Sequence, residues 1–238
     1  MSSRIVKALT NTGSGYRDRG DMGDNRNQLP PAVVRRLTKY LAHVQQCCNE
    51  GEEWVSSIEL AQRLGLTSST VRQDLSHVDF YGVSKRGYAT EGLRRVLADL
   101  LGADKTWRMV VVGAGHLGQA LAQHEEFQRR GLCICGIFDN DRQKIGTKVG
   151  KLSVHSMRTL PAFIGGHGID IGVVAVPAPA AQYVADLLIA SGIRGILNLT
   201  LAHIVSPRNV PVIDSRIVAS LLELTHAVKQ QTLPDNRK

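Results

Sequence analysis

Apolar residues recur at Val33, Val34, Leu37, Leu41 and Val44, the spacing of one helical face, and Pro31 suits a first helical turn. This predicts a helix over residues 31–48 and a polar loop over 49–53. Ser56, followed by Glu59, reads as a capping box in which side chain and backbone satisfy each other's unpaired donors. It opens a short helix over residues 57–64 that stops at Gly65. Thr67 then caps a third helix whose Val71, Leu75 and Val78 form the buried stripe. Ser68, Ser69, Arg72, Gln73 and Ser76 are left on its outer side.

Two short helices joined by a Gly65-containing turn, the second exposing polar and cationic side chains, make a helix-turn-helix pattern. The third helix would lie in a major groove, where Arg72 and Gln73 can bond base edges in pairs. Residues 80–90 place Gly82, Lys85, Arg86 and Gly87 between β-favouring residues, which predicts a two-stranded wing with a charged tip. A helix over 91–101, apolar at Leu93, Val96, Leu97 and Leu100, would end the domain near Gly102. A plain three-helix bundle with a solvated polar face fits these residues as well.

From Trp107 the pattern changes. A mostly apolar run to Val112 leads into Gly113-Ala114-Gly115-His116-Leu117-Gly118 and a helical pattern through Leu121 and Phe127. Strand, glycine turn and helix stand in the order of the dinucleotide fingerprint. Gly113 permits the tight turn, Gly115 lets a pyrophosphate approach the backbone, and Gly118 lets helix and strand pack closely. Ala114, His116 and Leu117 complete the phosphate-binding turn at a helix N-terminus. A second apolar strand over 132–138 ends at Asp139, roughly 20 residues beyond the last glycine, where a carboxylate can accept hydrogen bonds from an adenosine ribose. The same charge repels a 2′-phosphate, which favours NAD(H) over NADP(H).

Helices are predicted over 156–164 and 180–190, and strands over 171–176, 195–199 and 210–213. Strands alternating with helices imply a parallel sheet with ligands beyond the carboxyl ends of its strands. Val176, Pro177, Asn198 and Thr200 stand at such ends and are candidates to line a nicotinamide. The last helix, over 215–229, carries two rows, one through Ile217, Leu221, Leu224 and Val228, the other through Val218, Leu222 and Thr225, that make it apolar on more than half its circumference. Such a helix must be covered on more than one side, which points to a second subunit.

The formal net charge of +8 suggests a polyanionic partner. Residues 29–105 hold 10 Lys and Arg against 9 Asp and Glu, however, so any DNA face there depends on local segregation of charge. Residues 1–28 lack apolar periodicity and read as a disordered tail in which Arg4, Lys7, Arg17, Arg19 and Arg26 could brush phosphates. No window approaches the roughly 20 apolar residues of a membrane span, and no secretory h-region opens the chain, so a cytoplasmic location is expected. Cys47 with Cys48 and Cys133 with Cys135 lack the C-x-x-C spacing of metal or redox sites. They read as buried thiols, and no metal site is expected.

These residues resemble the Rex family of redox-sensing repressors. The likeness runs from about Leu29 to Lys229. It rests on Pro31 to Tyr40, Val71-Arg72-Gln73-Asp74-Leu75-Ser76, Tyr81-Gly82 and Gly87-Tyr88 in the first part. Gly113 to Gly118, Asp139, Val176-Pro177 and Gly195-Ile196-Leu197-Asn198 carry it through the second. The resemblance implies an α/β protein: a winged helix over 29–104, a Rossmann-like parallel-sheet domain over 105–213, and a domain-swapped helix with its tail over 214–238. It also implies a homodimer on palindromic operator DNA, read by Ser68, Ser69, Arg72, Gln73, Ser76, Lys85 and Arg86, and released by NADH as a regulatory ligand answering to the NADH/NAD+ ratio.

The chain departs from the family pattern, which often has Lys at Gln73, Phe-Gly at Val78-Asp79, Tyr at His124 and Asn-Phe-x-Pro over 198–201. A rival reading is an NAD-dependent dehydrogenase, since the same fingerprint serves hydride transfer. No separate substrate domain follows and no general acid pair is evident; His116 lies in the phosphate turn, and His155, His167 and His203 read as loop residues. A third reading, an assembly subunit whose winged helix contacts protein, also fits.

Overall fold

In the computed structural model the described residues are 29–78 and 80–231. The expected tail over 1–28, the departure at Asp79 and the end of the C-terminal segment from 232 lie outside them. The chain divides into two units, Met1–Leu97 and Ala98–Lys238, and the division falls within a helix rather than at the end of one.

In the first unit the helices are α1 (Pro31–Glu50), α2 (Ser57–Leu64), α3 (Ser68–Leu75) and α4 (Thr90–Leu101), the last reaching the division. Two short strands, β1 (Trp54–Val55) and β2 (Tyr88–Ala89), pair antiparallel. Leu37, Tyr40, Val44, Leu60, Val71, Leu75, Leu93 and Leu97 form the core, each at most 2% exposed. The helical stripes expected from the sequence are therefore the faces that pack, whereas Leu100 is exposed. Helix α1 runs two residues past the expected end, to Glu50. It stops where Gly51 turns left-handed at φ 79° and its N–H reaches Cys48 O, so Asn49 and Glu50 leave the expected loop for the helix.

The wing differs from expectation too. Its turn is a single bridge, Val83 to Gly87, closed by N–H···O bonds of 2.7 and 2.9 Å. The outgoing strand then pairs with β1, which apolar alternation alone did not reveal because it is two residues long. Gly87 makes this crossing possible: its φ is +96°, and a Cβ there would collide with Val55 O.

The second unit holds β3 (Trp107–Val112), α5 (His116–Ala122), α6 (Glu125–Arg129), β4 (Leu132–Asp139), β5 (Lys148–Val149) and β6 (Leu152–Ser156). There follow α7 (Leu160–His167), β7 (Ile171–Val174), α8 (Ala181–Ala190), β8 (Gly195–Asn198), β9 (Val212–Asp214) and α9 (Ile217–Gln231). The sheet order is β5-β6-β4-β3-β7-β8-β9, parallel except for the β5–β6 pair. From β6 to β9 this is the doubly wound dinucleotide-binding order, in which the chain works outward from β3 to one edge and then returns to the other side. Both faces are covered, as a parallel sheet requires. Phe138, Leu160, Val174 and Leu188 pack on one side, and Val111, Ile137, Val154 and Val173 on the other.

Four local expectations are corrected. The single helix through Leu121 and Phe127 is broken, with α5 ending at Ala122 and α6 starting at Glu125. The region expected to be helical from Ser156 begins as the end of β6, and the helix proper starts only at Leu160 with Pro161 in its first turn. His155 is accordingly on a strand, near Phe138 and Phe163, and His167 ends α7 stacked on Phe163 at 3.9 Å. Of the four cysteines only Cys47 is buried; Cys48, Cys133 and Cys135 are half-buried. Cys133 and Cys135 do share a sheet face, with sulfurs 3.9 Å apart.

Candidate functional site

The helix-turn-helix is built by its caps. Ser56 Oγ accepts the Glu59 N–H at 3.1 Å while Glu59 Oε2 accepts the Ser56 N–H at 3.4 Å. Gly65 then turns the chain at φ 63°, and Thr67 Oγ1 accepts the Thr70 N–H at 3.1 Å to start α3. On α3 and just past it, Ser69, Arg72, Gln73 and Ser76 are exposed and Ser68 half-exposed. Arg72 makes one long bond, to Ser57 Oγ at 3.3 Å, whereas Ser76 turns its hydroxyl back to Gln73 O at 2.7 Å. Lys85 stands exposed at the wing turn with φ 64°. Arg86 stacks over the Trp54 ring of β1, 4.1 Å from its centroid, a cation–π contact that holds the guanidinium at the wing.

What aims α3 is a buried ionic cluster of residues that the exposed face of the helix does not reveal. Arg36 of α1 donates Nε to Asp74 Oδ2 at 2.6 Å and Nη2 to Oδ1 at 2.7 Å, and Tyr40 donates its hydroxyl to Oδ2 at 2.7 Å. Asp74 is only 2% exposed. Bonds from Arg36 hold its carboxyl below the usual range against the opposing effect of burial, with Tyr40 adding to the lowering. Burial and the bond to Asp74 push the Tyr40 hydroxyl up. The available signal was spacing: Arg36 and Tyr40 are i and i+4 on α1, and Asp74 adjoins the apolar stripe of α3.

In the second unit the glycines behave as the fingerprint requires. Gly113 has φ 108°, and a Cβ on it would collide with Ala175 O and press on Val176 Cγ1 at 3.2 Å. A Cβ on Gly118 would strike Gly113 O, whereas one on Gly115 would meet nothing within 4 Å. So two glycines allow close packing and the third faces open space. Gly115 starts α5 with no side-chain cap, leaving the first N–H groups of His116, Leu117 and Gly118 for another acceptor.

Asp139 closes the turn from the end of β4. Its Oδ2 accepts from Ala114 N at 2.8 Å and from Lys144 Nζ at 3.2 Å, and its Oδ1 accepts from Asp141 N at 2.9 Å. Burial raises its pKa, but the Asp141 and Ala114 N–H groups and the Lys144 ammonium outweigh that and lower it overall. The carboxylate is therefore ionised and held against the glycine turn at the carboxyl end of β3.

The other predicted positions are occupied differently. Val176 packs beside the Gly113 turn, and Pro177 starts a 3₁₀ turn after β7. Asn198 is fully buried and spends both ends internally. It donates to Ala202 O and Asp214 Oδ1, each at 2.8 Å, and accepts from Thr200 N and Oγ1 at 3.0 and 2.8 Å. Asn198 and Thr200 thus build the turn after β8. His124 precedes α6 and lines, with Phe127, Cys133 and Leu152, a cavity of about 560 Å³ whose lining includes no glycine-turn residue.

A winged helix and a doubly wound dinucleotide-type sheet on one chain define a DNA-binding regulator that carries its own nucleotide domain. Two families match by description: "Putative DNA-binding protein N-terminus" over residues 28–76 and "CoA binding domain" over residues 104–202. The Rex repressor of Caldicellulosiruptor bescii is 39% identical over 212 residues, covering 89% of this chain and 98% of that protein. Rex 1 of Thermotoga maritima is 41% identical over 202 residues, covering 84% and 96%. Among solved structures, RSP in complex with β-NAD+ and operator DNA matches with TM-score 0.81 and 33% identity over 86% of this chain and 94% of that one. RSP in complex with β-NADH matches with TM-score 0.78 and 33% identity over 85% and 95%. The chain belongs to the Rex family of redox-sensing transcriptional repressors, and it is a regulator rather than a dehydrogenase.

Proposed function

We propose that this protein binds operator DNA as a homodimer and is released from it by NADH, so that its occupancy reports the NADH/NAD+ ratio. The observation that carries the reading is the glycine turn strapped by Asp139 at the switch point of a chain whose other unit exposes Arg72 and Gln73 on a capped helix. RSP, a relative solved with β-NAD+ and operator DNA and also with β-NADH, supports it.

In this reading Arg72 and Gln73 read base edges. Ser68, Ser69, Ser76, Lys85 and Arg86 contact the backbone and fix register. The N–H groups at the start of α5 receive the pyrophosphate, Asp139 receives the adenosine ribose, and Val176, Pro177 and the turn held by Asn198 and Thr200 border the nicotinamide. Helix α9 supports the dimer. Ile217, Val218, Leu221, Leu222 and Leu224 are each 51–67% exposed in the single chain, and exchange of this helix between subunits would cover them. NADH acts by binding one dimer form more tightly than the other; only that differential affinity can shift the population on DNA. The protein works in the cytoplasm, and no described helix is long and apolar enough to cross a membrane.

The test is retention of a palindromic duplex at fixed salt during titration with NADH, NAD+ and NADPH. Release by NADH at concentrations where the other two leave the complex intact is expected. Equal retention with and without saturating NADH would refute the reading.

A further inference from the structure

Three side chains left unused by the DNA and nucleotide roles converge beside α1. His43 and Cys47 lie four residues apart on that helix, both buried, with Nε2 3.6 Å from Sγ. Glu59, in the first turn of α2, faces them, and one donor atom from each of the three lies within 4.8 Å of the others. The i, i+4 spacing stacks His43 and Cys47 on one helical face. Paired ligands a turn apart on one helix are a recurring way to hold zinc.

We propose that His43, Cys47 and Glu59 form a site for a divalent transition-metal cation of the zinc type, clamping α1 to the start of α2. Imidazole nitrogen, thiolate sulfur and carboxylate oxygen are the three donor types zinc accepts, whereas a thiol and an imidazole suit neither magnesium nor calcium. The metric agrees. With Zn–S near 2.3 Å and Zn–N near 2.0 Å at a tetrahedral angle, sulfur and nitrogen stand about 3.5 Å apart. Cys47 and His43 stand close to that, at 3.6 Å, and Glu59, within 4.8 Å, closes in when the cation binds.

Glu59 can serve without losing its capping role. Its side chain takes one long bond, Ser56 N to Oε2 at 3.4 Å, which leaves its other carboxylate oxygen for the cation. Three protein ligands leave a fourth tetrahedral position for water. On binding, the Cys47 thiol gives its proton to solvent as the sulfur–metal bond forms. The clamp would stiffen the frame that carries α3, giving the DNA-binding unit a metal-dependent input separate from the nucleotide.

The experiment uses the full-length, tag-free, reduced and chelator-stripped protein titrated with Co²⁺ and then with Zn²⁺. One equivalent of Co²⁺ is expected to give tetrahedral visible bands and a thiolate charge-transfer band, both displaced by Zn²⁺. Cys47→Ser should abolish the charge-transfer band, and His43→Gln should weaken cobalt binding by at least about 100-fold. Glu59→Gln keeps a capping acceptor, so it should weaken the cation while circular dichroism shows the helices intact. Replacing Cys133 and Cys135 by Ser should change nothing. A spectrum without thiolate charge transfer, or one that survives Cys47→Ser and vanishes in the Cys133/Cys135 variant, would overturn the proposal. Nucleotide and DNA titrations of the metal-free protein report separately on the repressor reading.

Discussion

Arg36 and Asp74 meet as a bidentate pair, at 2.6 and 2.7 Å, that ties the first helix of the DNA-binding unit to its reading helix. Tyr40 completes the grip on the same carboxylate. No base or phosphate is needed to explain Asp74, because its position is set from within.

Replacing that carboxylate should therefore harm DNA binding from inside the domain. Asp74→Asn leaves Arg36 without its counter-charge in a partly buried place, and the melting temperature of the DNA-binding unit should fall by at least about 10 °C. The pH dependence has a definite sign. Arg36 holds Asp74 below 3.8, so its contribution is present above that value and is lost as acid titrates the folded carboxylate. Acid unfolding followed by circular dichroism should set in below about pH 4 in the wild type and be flatter there in Asp74→Asn. Matching acid limbs in the two proteins would remove Asp74 from this role.

Arg72 tests the reading surface itself. Arg72→Ala should weaken operator binding by about 10- to 100-fold, measured by fluorescence anisotropy, and leave NADH affinity unchanged. Unaltered operator affinity would move base reading elsewhere.

Gly118 tests the nucleotide turn. A methyl group there is directed at Gly113 O, so Gly118→Ala must displace the turn or the start of α5. The expected result is loss of NADH binding in calorimetry while DNA binding without nucleotide persists. NADH bound at wild-type affinity would argue against this turn as its cradle.

Asp139 tests selectivity. Asp139→Ala removes the negative charge from the end of β4, and the preference for NADH over NADPH should fall roughly tenfold. The duplex should still be retained in the absence of nucleotide. An unchanged ratio of the two affinities would mean that another group excludes the 2′-phosphate.

Helix α9 tests assembly. Leu221→Glu with Leu224→Glu places two charges on a row that the single chain leaves exposed, so intrachain packing should tolerate them. Sedimentation should report a monomer, and operator binding should weaken with it. A persistent dimer would place the interface on other residues.

Much of this was legible from periodicity and caps. The Ser56 box, the Gly65 stop, the Thr67 cap and the Gly113 turn are local events, set by residues within a few positions of one another. What escaped depends on distant partners. Strand β1 is too short to alternate and exists because β2 returns to it. Strand β6 is likewise set by its pairing with β4, from Ile137 with Val154 to Asp139 with Ser156, which no local pattern announces. Asn198 and Thr200 look like pocket residues at a strand end, and only the fold reveals that their polar atoms are spent on Ala202, Asp214 and each other. His43 and Cys47 are a turn apart on α1, a spacing that the C-x-x-C pattern does not contain, and Glu59 joins them only through the fold.

The indole beneath Arg86 has one more consequence. A free arginine loses rotamer freedom whenever it settles on an anion, and that loss subtracts from what the contact yields. The guanidinium resting on Trp54 has already given up much of that freedom in forming the folded protein. The wing tip enters any encounter with its aim already set.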